Sequence, residues 1–182
     1  MMTKEQTTVS KLMSLALRHK PEKLGILLDQ HGWAETNELI NGINNKGYSV
    51  MLDDLEVIVK SNDKQRFKFN DDFTKIRANQ GHSIAVNVEL TESMPPDILY
   101  HGTSLRNLES IQTNGILSQS RLHVHLSDNK ETAKQVGSRH GKPIILVIDT
   151  KQMHADNLKF YLSENGVWLT DNIPSQYITL LK

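Results

Sequence analysis

In Arg66-Phe67-Lys68-Phe69-Asn70-Asp71-Asp72-Phe73-Thr74-Lys75-Ile76-Arg77-Ala78, side chains alternate on both sides of a polar turn. Period two over Arg66 to Phe69 and over Thr74 to Ala78, broken by Asn70-Asp71-Asp72, predicts a β-hairpin. Immediately upstream the period is helical: Leu52 to Lys60 turns Leu55, Ile58 and Val59 inward. Further back, Thr36 or Asn37 caps a helix carrying Leu39, Ile40 and Ile43, and Gly47 ends it. Gly32-Trp33 closes a short apolar stretch before that helix. The first helix, Thr7 to His19, buries Val9, Leu12, Met13, Ala16 and Leu17. Pro21 disfavours helical geometry at Lys20, so this helix ends near Arg18-His19.

Helices followed by a hairpin outline a winged helix, expected over residues 1–80. Weak periodicity, Gly81, Ser83 and Pro95-Pro96 make residues 81–96 the expected connector. Residues 97–182 then mix strands with helices. Strands are expected at Ile98 to His101, Leu122 to Leu126, Ile144 to Ile148, Phe160 to Leu162, Val167 to Thr170 and Tyr177 to Leu180. Helices are expected at Leu105 to Thr113, ended by Gly115, and from a cap at Asp128, with Glu131 three residues on, to about Arg139. No internal repeat is present, and the expected fold class is α+β.

The 182 residues carry no cysteine, which excludes disulfides, a thiolate nucleophile and thiolate zinc sites. The longest aliphatic run, Ile144 to Ile148, falls far short of the roughly 18 apolar residues of a membrane span. The N-terminal residues lack a signal-peptide core, so a cytoplasmic protein is expected. With 21 basic and 21 acidic residues, bulk electrostatic coating of nucleic acid is not expected, and individual arginines matter instead. Balanced charge and the lack of coiled-coil heptads make a monomer the expected state.

Arg18-His19 can either complement the dipole of a helix C-terminus or form a phosphate fork with a proton-transfer group. In Tyr100-His101-Gly102-Thr103, Gly102 would let a ligand approach the backbone, with His101 and Thr103 on one strand face; a plain turn is the alternative. Period two likewise puts Arg121, His123 and His125 on one face. A His-x-His strand can chelate zinc, but no third ligand has matching spacing, so no metal is expected.

These residues resemble those of the RNA 2′-phosphotransferases, NAD-dependent enzymes associated with the last step of tRNA splicing. The resemblance runs from about Val9 to Tyr177. It rests on Ser10-Lys11 with Leu17-Arg18-His19-Lys20-Pro21, Gly32-Trp33, Lys64-Gln65-Arg66-Phe67 and Ile76-Arg77-Ala78-Asn79-Gln80-Gly81-His82-Ser83. It continues through Leu99 to Thr103, Arg121 to Ser127, Val136-Gly137-Ser138-Arg139-His140-Gly141, and Glu164-Asn165-Gly166-Val167-Trp168-Leu169-Thr170. Blocks in one order are a strong signal where each alone would be weak.

The resemblance implies a winged-helix lobe that grips RNA, then an ADP-ribosyltransferase-like lobe of mixed α/β structure that binds NAD as co-substrate, with the active site between them. It implies Arg18, His19, Arg66 and Arg121 as the catalytic set. For NAD it implies His101, Gly102, Thr103, His125 and Ser127, together with Arg139 and His140, which would otherwise only cap a helix. Arg77, Gln80, Gly81, His82 and Ser83 are expected either to hold the RNA backbone or to brace the lobes.

The implied reaction moves an internal 2′-phosphate from a tRNA-like RNA to NAD. A phosphate monoester, with a second pKa of about 6, is already anionic at neutral pH and needs positioning more than a base. Guanidinium forks supply that, and a histidine titrating near neutrality can donate a proton. Two other classes compete. A DNA-reading regulator would need basic residues on the third helix, which instead begins with Asp53, Asp54 and Glu56. A protein-modifying ADP-ribosyltransferase would carry a late-strand glutamate where the resemblance places Val167.

Overall fold

The computed structural model describes residues 2–62 and 64–181; of His140 it describes the backbone only. The chain divides into two compact units, Met1–Glu89 and Leu90–Lys182. Together they form a mixed α+β protein built on antiparallel sheets.

The first unit begins with α1, Lys4–Arg18. It starts ahead of the expected Thr7 because Thr3 caps it: the Gln6 backbone N–H donates to Thr3 Oγ1 at 3.1 Å and the Thr3 N–H donates to Gln6 Oε1 at 2.9 Å. A three-residue strand that periodicity could not reveal, β1 (Trp33–Glu35), precedes α2 (Thr36–Asn44). Thr36 opens α2 as its first helical residue rather than as its cap, which is Glu35. The third helix, α3 (Leu52–Lys60), has the expected limits, and the hairpin is β2 (Phe67–Phe69) with β3 (Lys75–Ala78). Its turn is tied by Asn70 Oδ1, which accepts from the Lys75 N–H at 2.8 Å, and by Asp72 Oδ1, which accepts from the Thr74 N–H at 3.1 Å.

The antiparallel order is β1-β3-β2, with Trp33 opposite Arg77 and Arg77 opposite Lys68. Val9, Met13, Leu17, Leu39, Ile43, Leu55, Ile58, Phe67 and Ile76 form its core. Residues 81–89 fold back on this unit, where the Asn87 N–H donates to the Gln30 carbonyl at 2.8 Å.

The second unit runs β4 (Thr91–Glu92), β5 (Ile98–Ser104), α4 (Leu108–Asn114), β6 (Val124–Leu126), α5 (Lys130–Gly137), β7 (Pro143–Asp149), α6 (Thr150–Ala155), β8 (Phe160–Leu162), β9 (Trp168–Thr170) and β10 (Ile178–Leu180). Its strands form the sheets β10-β7-β5 and β4-β8-β9-β6. Tyr100 and Ser127 join the sheets by two backbone bonds, of 2.7 and 2.9 Å. Leu99, Leu146, Ile148, Met153, Phe160 and Ile173 lie at the centre.

Several expectations are corrected here. Strand β6 is only three residues long, so Arg121 lies in the preceding turn, where its N–H donates to the Ser118 carbonyl at 3.1 Å. Asn129 rather than Asp128 caps α5, through Oδ1 accepting from the Thr132 N–H at 3.0 Å. That helix ends at Gly137, and Ser138–His140 form a separate 3-10 turn. Val167 precedes β9, and α6 was not expected. Among the described residues no helix is long and apolar enough to cross a membrane.

Candidate functional site

In the first unit, three separate segments bring Arg18, His19 and Arg66 together. Arg18 closes α1 with its side chain buried, and its Nη2 donates to the Arg66 carbonyl at 3.5 Å. That carbonyl also accepts from the Asn79 N–H at 2.9 Å, while Asn79 Nδ2 donates to the Gln65 carbonyl at 2.6 Å. Gln65 itself sits at φ +41°, a left-handed turn that the clamp from Asn79 holds. Arg66 Nη1 donates to Asn62 Oδ1 at 3.1 Å, and Asn62, 2% exposed, donates through Nδ2 to Ser10 Oγ at 3.2 Å. The Arg66 carbonyl and the Asn62 amide oxygen thus help to orient these two guanidiniums.

Asn62 and Asn79 were not singled out as site residues. The available signal was their position: one lies just after the end of α3, and the other lies inside the block Ile76 to Ser83.

His19 is half-buried, and its Nδ1 is 2.9 Å from Ser83 Oγ. Beside it, His82 is buried, and its Nε2 has no hydrogen-bond partner among the described residues. Burial, with the charges of Arg18, His19 and Arg77, pushes its pKa down to about 4, so it is neutral at pH 7. It can lend no charge to an RNA phosphate.

Arg77, in the same expected group, braces its own unit. Its guanidinium lies 4.5 Å from the Trp33 ring centroid, and Nη1 donates to the His31 carbonyl at 3.2 Å and to Glu89 Oε2 at 3.1 Å. Gln80 and Gly81 are half-buried and Ser83 is exposed.

In the second unit, His101 and Thr103 share one face of β5 with buried Leu99. Burial holds the His101 pKa below its usual value, so the ring is neutral at pH 7. Nδ1 donates to the His125 carbonyl at 3.1 Å, leaving Nε2 as an acceptor. Thr103 Oγ1 accepts from Asn107 Nδ2 at 3.0 Å and keeps its own hydrogen to donate. Ser127 Oγ accepts from the Asn129 N–H at 3.1 Å.

The expected reason for Gly102 does not hold. Gly102 lies on the opposite face of β5, against α5, where a Cβ would sit 1.6 Å from the Ala133 carbonyl oxygen. Gly137, where a Cβ would lie 2.6 Å from the Thr103 carbonyl oxygen, completes a backbone-on-backbone contact. Helix packing, not ligand approach, requires glycine there.

Arg121 reaches His125 from the turn, Nη1 to Nδ1 at 3.4 Å. The residue is exposed, yet partial desolvation of its guanidinium and the charge of Arg139 hold its pKa below the usual arginine value. Neither arginine forms an ion pair among the described residues. His123 packs on Tyr161 with ring centroids 5.8 Å apart. The side chain of His140 lies outside the described residues. Among the described residues no three His, Asp or Glu side chains gather as metal ligands would.

Arg18 and Arg66 linked through oxygens in one unit, and Arg121 beside the strand-borne His125 in the other, are guanidinium groups of the kind that bind anions. The sequence profile of the family described as RNA 2′-phosphotransferase, Tpt1 / KptA family, matches residues 4–172, and the chain belongs to that family. A probable RNA 2′-phosphotransferase of Fusobacterium nucleatum is 57% identical over 93% of this chain and 96% of its own length. Similarly described proteins of Flavobacterium johnsoniae and Trichormus variabilis are 53% and 46% identical, covering 94% and 97% of this chain and the same shares of their own lengths.

Proposed function

We propose that this chain is an NAD-dependent RNA 2′-phosphotransferase that removes an internal 2′-phosphate from a tRNA-like RNA. The observation that carries this is the gathering of Arg18, His19 and Arg66 in the first unit, where Arg18 Nη2 donates to the Arg66 carbonyl and Arg66 Nη1 donates to Asn62 Oδ1. The order α1-β1-α2-α3-β2-β3 and the sheet β1-β3-β2 support reading that unit as a winged helix. The paired antiparallel sheets of the second unit support an ADP-ribosyltransferase-like lobe.

NAD fits the donors and acceptors of the second unit. His101 Nε2 can accept from a ribose hydroxyl, the Thr103 hydroxyl can donate, and Arg121 with Arg139 can neutralise phosphate.

In the first step, a phosphate oxygen of the RNA bonds to the anomeric carbon of the nicotinamide ribose. The C–N bond breaks, and nicotinamide leaves with its electron pair. In the second, the ribose 2″-hydroxyl loses its proton and attacks phosphorus, breaking the bond to the RNA 2′-oxygen. That oxygen takes a proton, which His19 is suited to give. The products are RNA with a 2′-hydroxyl and ADP-ribose 1″,2″-cyclic phosphate. Arg18 grips the incoming phosphate, while Arg66 and Arg121 offset the charge that accumulates on it in the second step.

Nicotinamide release measured with and without RNA carrying an internal 2′-phosphate tests this. Release that depends on that phosphate supports it. Release without RNA, or with a protein acceptor only, refutes it.

A further inference from the structure

Ser10 stands on the apolar face of α1 with Val9, Met13 and Leu17, and is only 5% exposed. A hydroxyl buried among such neighbours is costly unless it is hydrogen-bonded. Thr7 and Thr8, on the same helix, use theirs locally, each donating to the carbonyl four residues back at 2.9 Å. Ser10 reaches 52 residues along the chain, where its Oγ accepts from Asn62 Nδ2 at 3.2 Å.

The other end of that amide meets donors. Asn62 Oδ1 accepts from Arg66 Nη1 at 3.1 Å and from the Lys64 N–H at 3.2 Å. Neither group can accept, so the amide stands with its oxygen towards Arg66 and its nitrogen towards Ser10. The Asn62 carbonyl accepts from the Gln65 N–H at 2.7 Å, which ties the backbone of the same turn. Ser10 thus begins a chain, hydroxyl to amide to guanidinium, that runs from α1 to Arg66.

We propose that Ser10 is a positioning residue for Arg66: through Asn62 it sets the guanidinium against the helix that ends in Arg18. The inference rests on the role given to Arg66 above, charge compensation in the second step, and adds the residue that registers Arg66 on α1.

Ser10 lies eight residues before Arg18, about 12 Å along the helix at 1.5 Å per residue. A bond at Ser10 therefore holds the turn from Asn62 to Arg66 to the same rigid element that carries Arg18. The contact of Arg18 Nη2 with the Arg66 carbonyl, at 3.5 Å, is a second tie between that helix and that turn. Alanine at position 10 keeps the shape of the helix face and removes the oxygen alone. Asn62 Nδ2 then becomes a buried donor without that acceptor, and an amide that turns to find another takes Oδ1 away from Arg66.

The test is a set of double-mutant cycles in the full chain: Ser10→Ala alone, and on Asn62→Ala and Arg66→Ala backgrounds. Single-turnover reactions with NAD and RNA carrying an internal 2′-phosphate follow nicotinamide release and 2′-hydroxyl RNA release separately, below the unfolding transition of each variant. Ser10→Ala should slow 2′-hydroxyl RNA release about 10-fold and accumulate RNA-2′-phospho-ADP-ribose, with nicotinamide release changed by less than about 2-fold. On either background it should add less than about 2-fold, because the chain it acts through is already cut. A residue that only stabilises the fold would slow both steps together, by the same factor on every background. Ser10→Cys, which fills the place but accepts only weakly, should show the same selective loss and replaces Ser10→Ala if that variant does not fold.

An unchanged second step, equal slowing of both steps, or a further loss of about 10-fold on the Arg66→Ala background would each overturn the proposal. If the wild-type protein releases no nicotinamide with this RNA, the functional reading fails by itself. The Arg66 Nε–H resonance, assigned with Arg66→Lys, then still decides the contact: a shifted or broadened signal in the Ser10 variant upholds it, and an unmoved one overturns it.

Discussion

Replacing Gly102 by alanine inserts one methyl group where strand β5 and helix α5 touch through their backbones. Its Cβ would lie 1.6 Å from the Ala133 carbonyl oxygen and 2.4 Å from the carbonyl carbon, where real contacts stay beyond 3.0 Å. The helix must therefore retreat by at least the 1.4 Å difference between 1.6 and 3.0 Å, and Gly137 must lose its seat against Thr103. Overpacking typically costs about 1–3 kcal/mol, and a clash with backbone, which has no rotamer to change, belongs at or above the top of that range. For a unit of this size, about 3 kcal/mol lowers Tm by roughly 12–24 °C.

Trp33 and Trp168 lie in different units, so Trp168 fluorescence in a Trp33→Phe background reports thermal unfolding of the second unit. Ala133→Gly should not rescue Gly102→Ala, because the clashing atoms are backbone. A Gly102→Ala protein with wild-type Tm that has lost NAD use would refute the packing argument and restore ligand approach as the reason for the glycine.

His82 gives the first unit an acid-labile component. Its pKa is about 4 folded against 6.5 in the unfolded chain, so below pH 6.5 the unfolded state takes the proton first. Stability is lost as pH falls from 6.5 towards 4, by up to about 3 kcal/mol at 1.36 kcal/mol per unit. Urea unfolding of wild type and His82→Gln should diverge over that window, and parallel curves would disprove the assignment. Arg66→Ala and Arg121→Ala should accumulate RNA-2′-phospho-ADP-ribose through a second-step loss on the order of 10²-fold, whereas Arg18→Ala also slows the first step. Asn62→Ala, which removes the acceptor of Arg66 Nη1, should give a milder form of the Arg66→Ala defect; nicotinamide release abolished in single turnover by both Arg66→Ala and Arg121→Ala would contradict this division. His101→Ala and Thr103→Ala should raise KM for NAD while RNA binding, measured directly, stays intact, and equal damage to both ligands would argue against it. Turnover should survive exhaustive chelation, because the arginines supply the positive charge; activity restored only by zinc would reverse that expectation.

Features that depend on neighbours in the chain were legible in the sequence. The limits of α3 follow from where Leu55 and Ile58 can face a core, and the hairpin from alternation and its Asn-Asp-Asp turn. The blocks around Arg18-His19, Arg66 and Arg121 also declared which residues carry charge. What those residues touch was decided by tertiary structure. Strand β1, three residues long, exists because β3 offers it an edge, and no period can form in so short a run. Arg18 meets a carbonyl 48 residues away, and Asn62 meets a serine 52 residues away. Arg77, expected either to hold RNA or to brace the lobes, lies among Trp33, His31 and Glu89, and Gly102, expected to let a ligand approach, lies against α5. Periodicity records which side of an element is apolar, a property each residue carries with it. A hydrogen-bond partner or a 1.6 Å backbone clash belongs to two distant segments at once, and only folding brings them together.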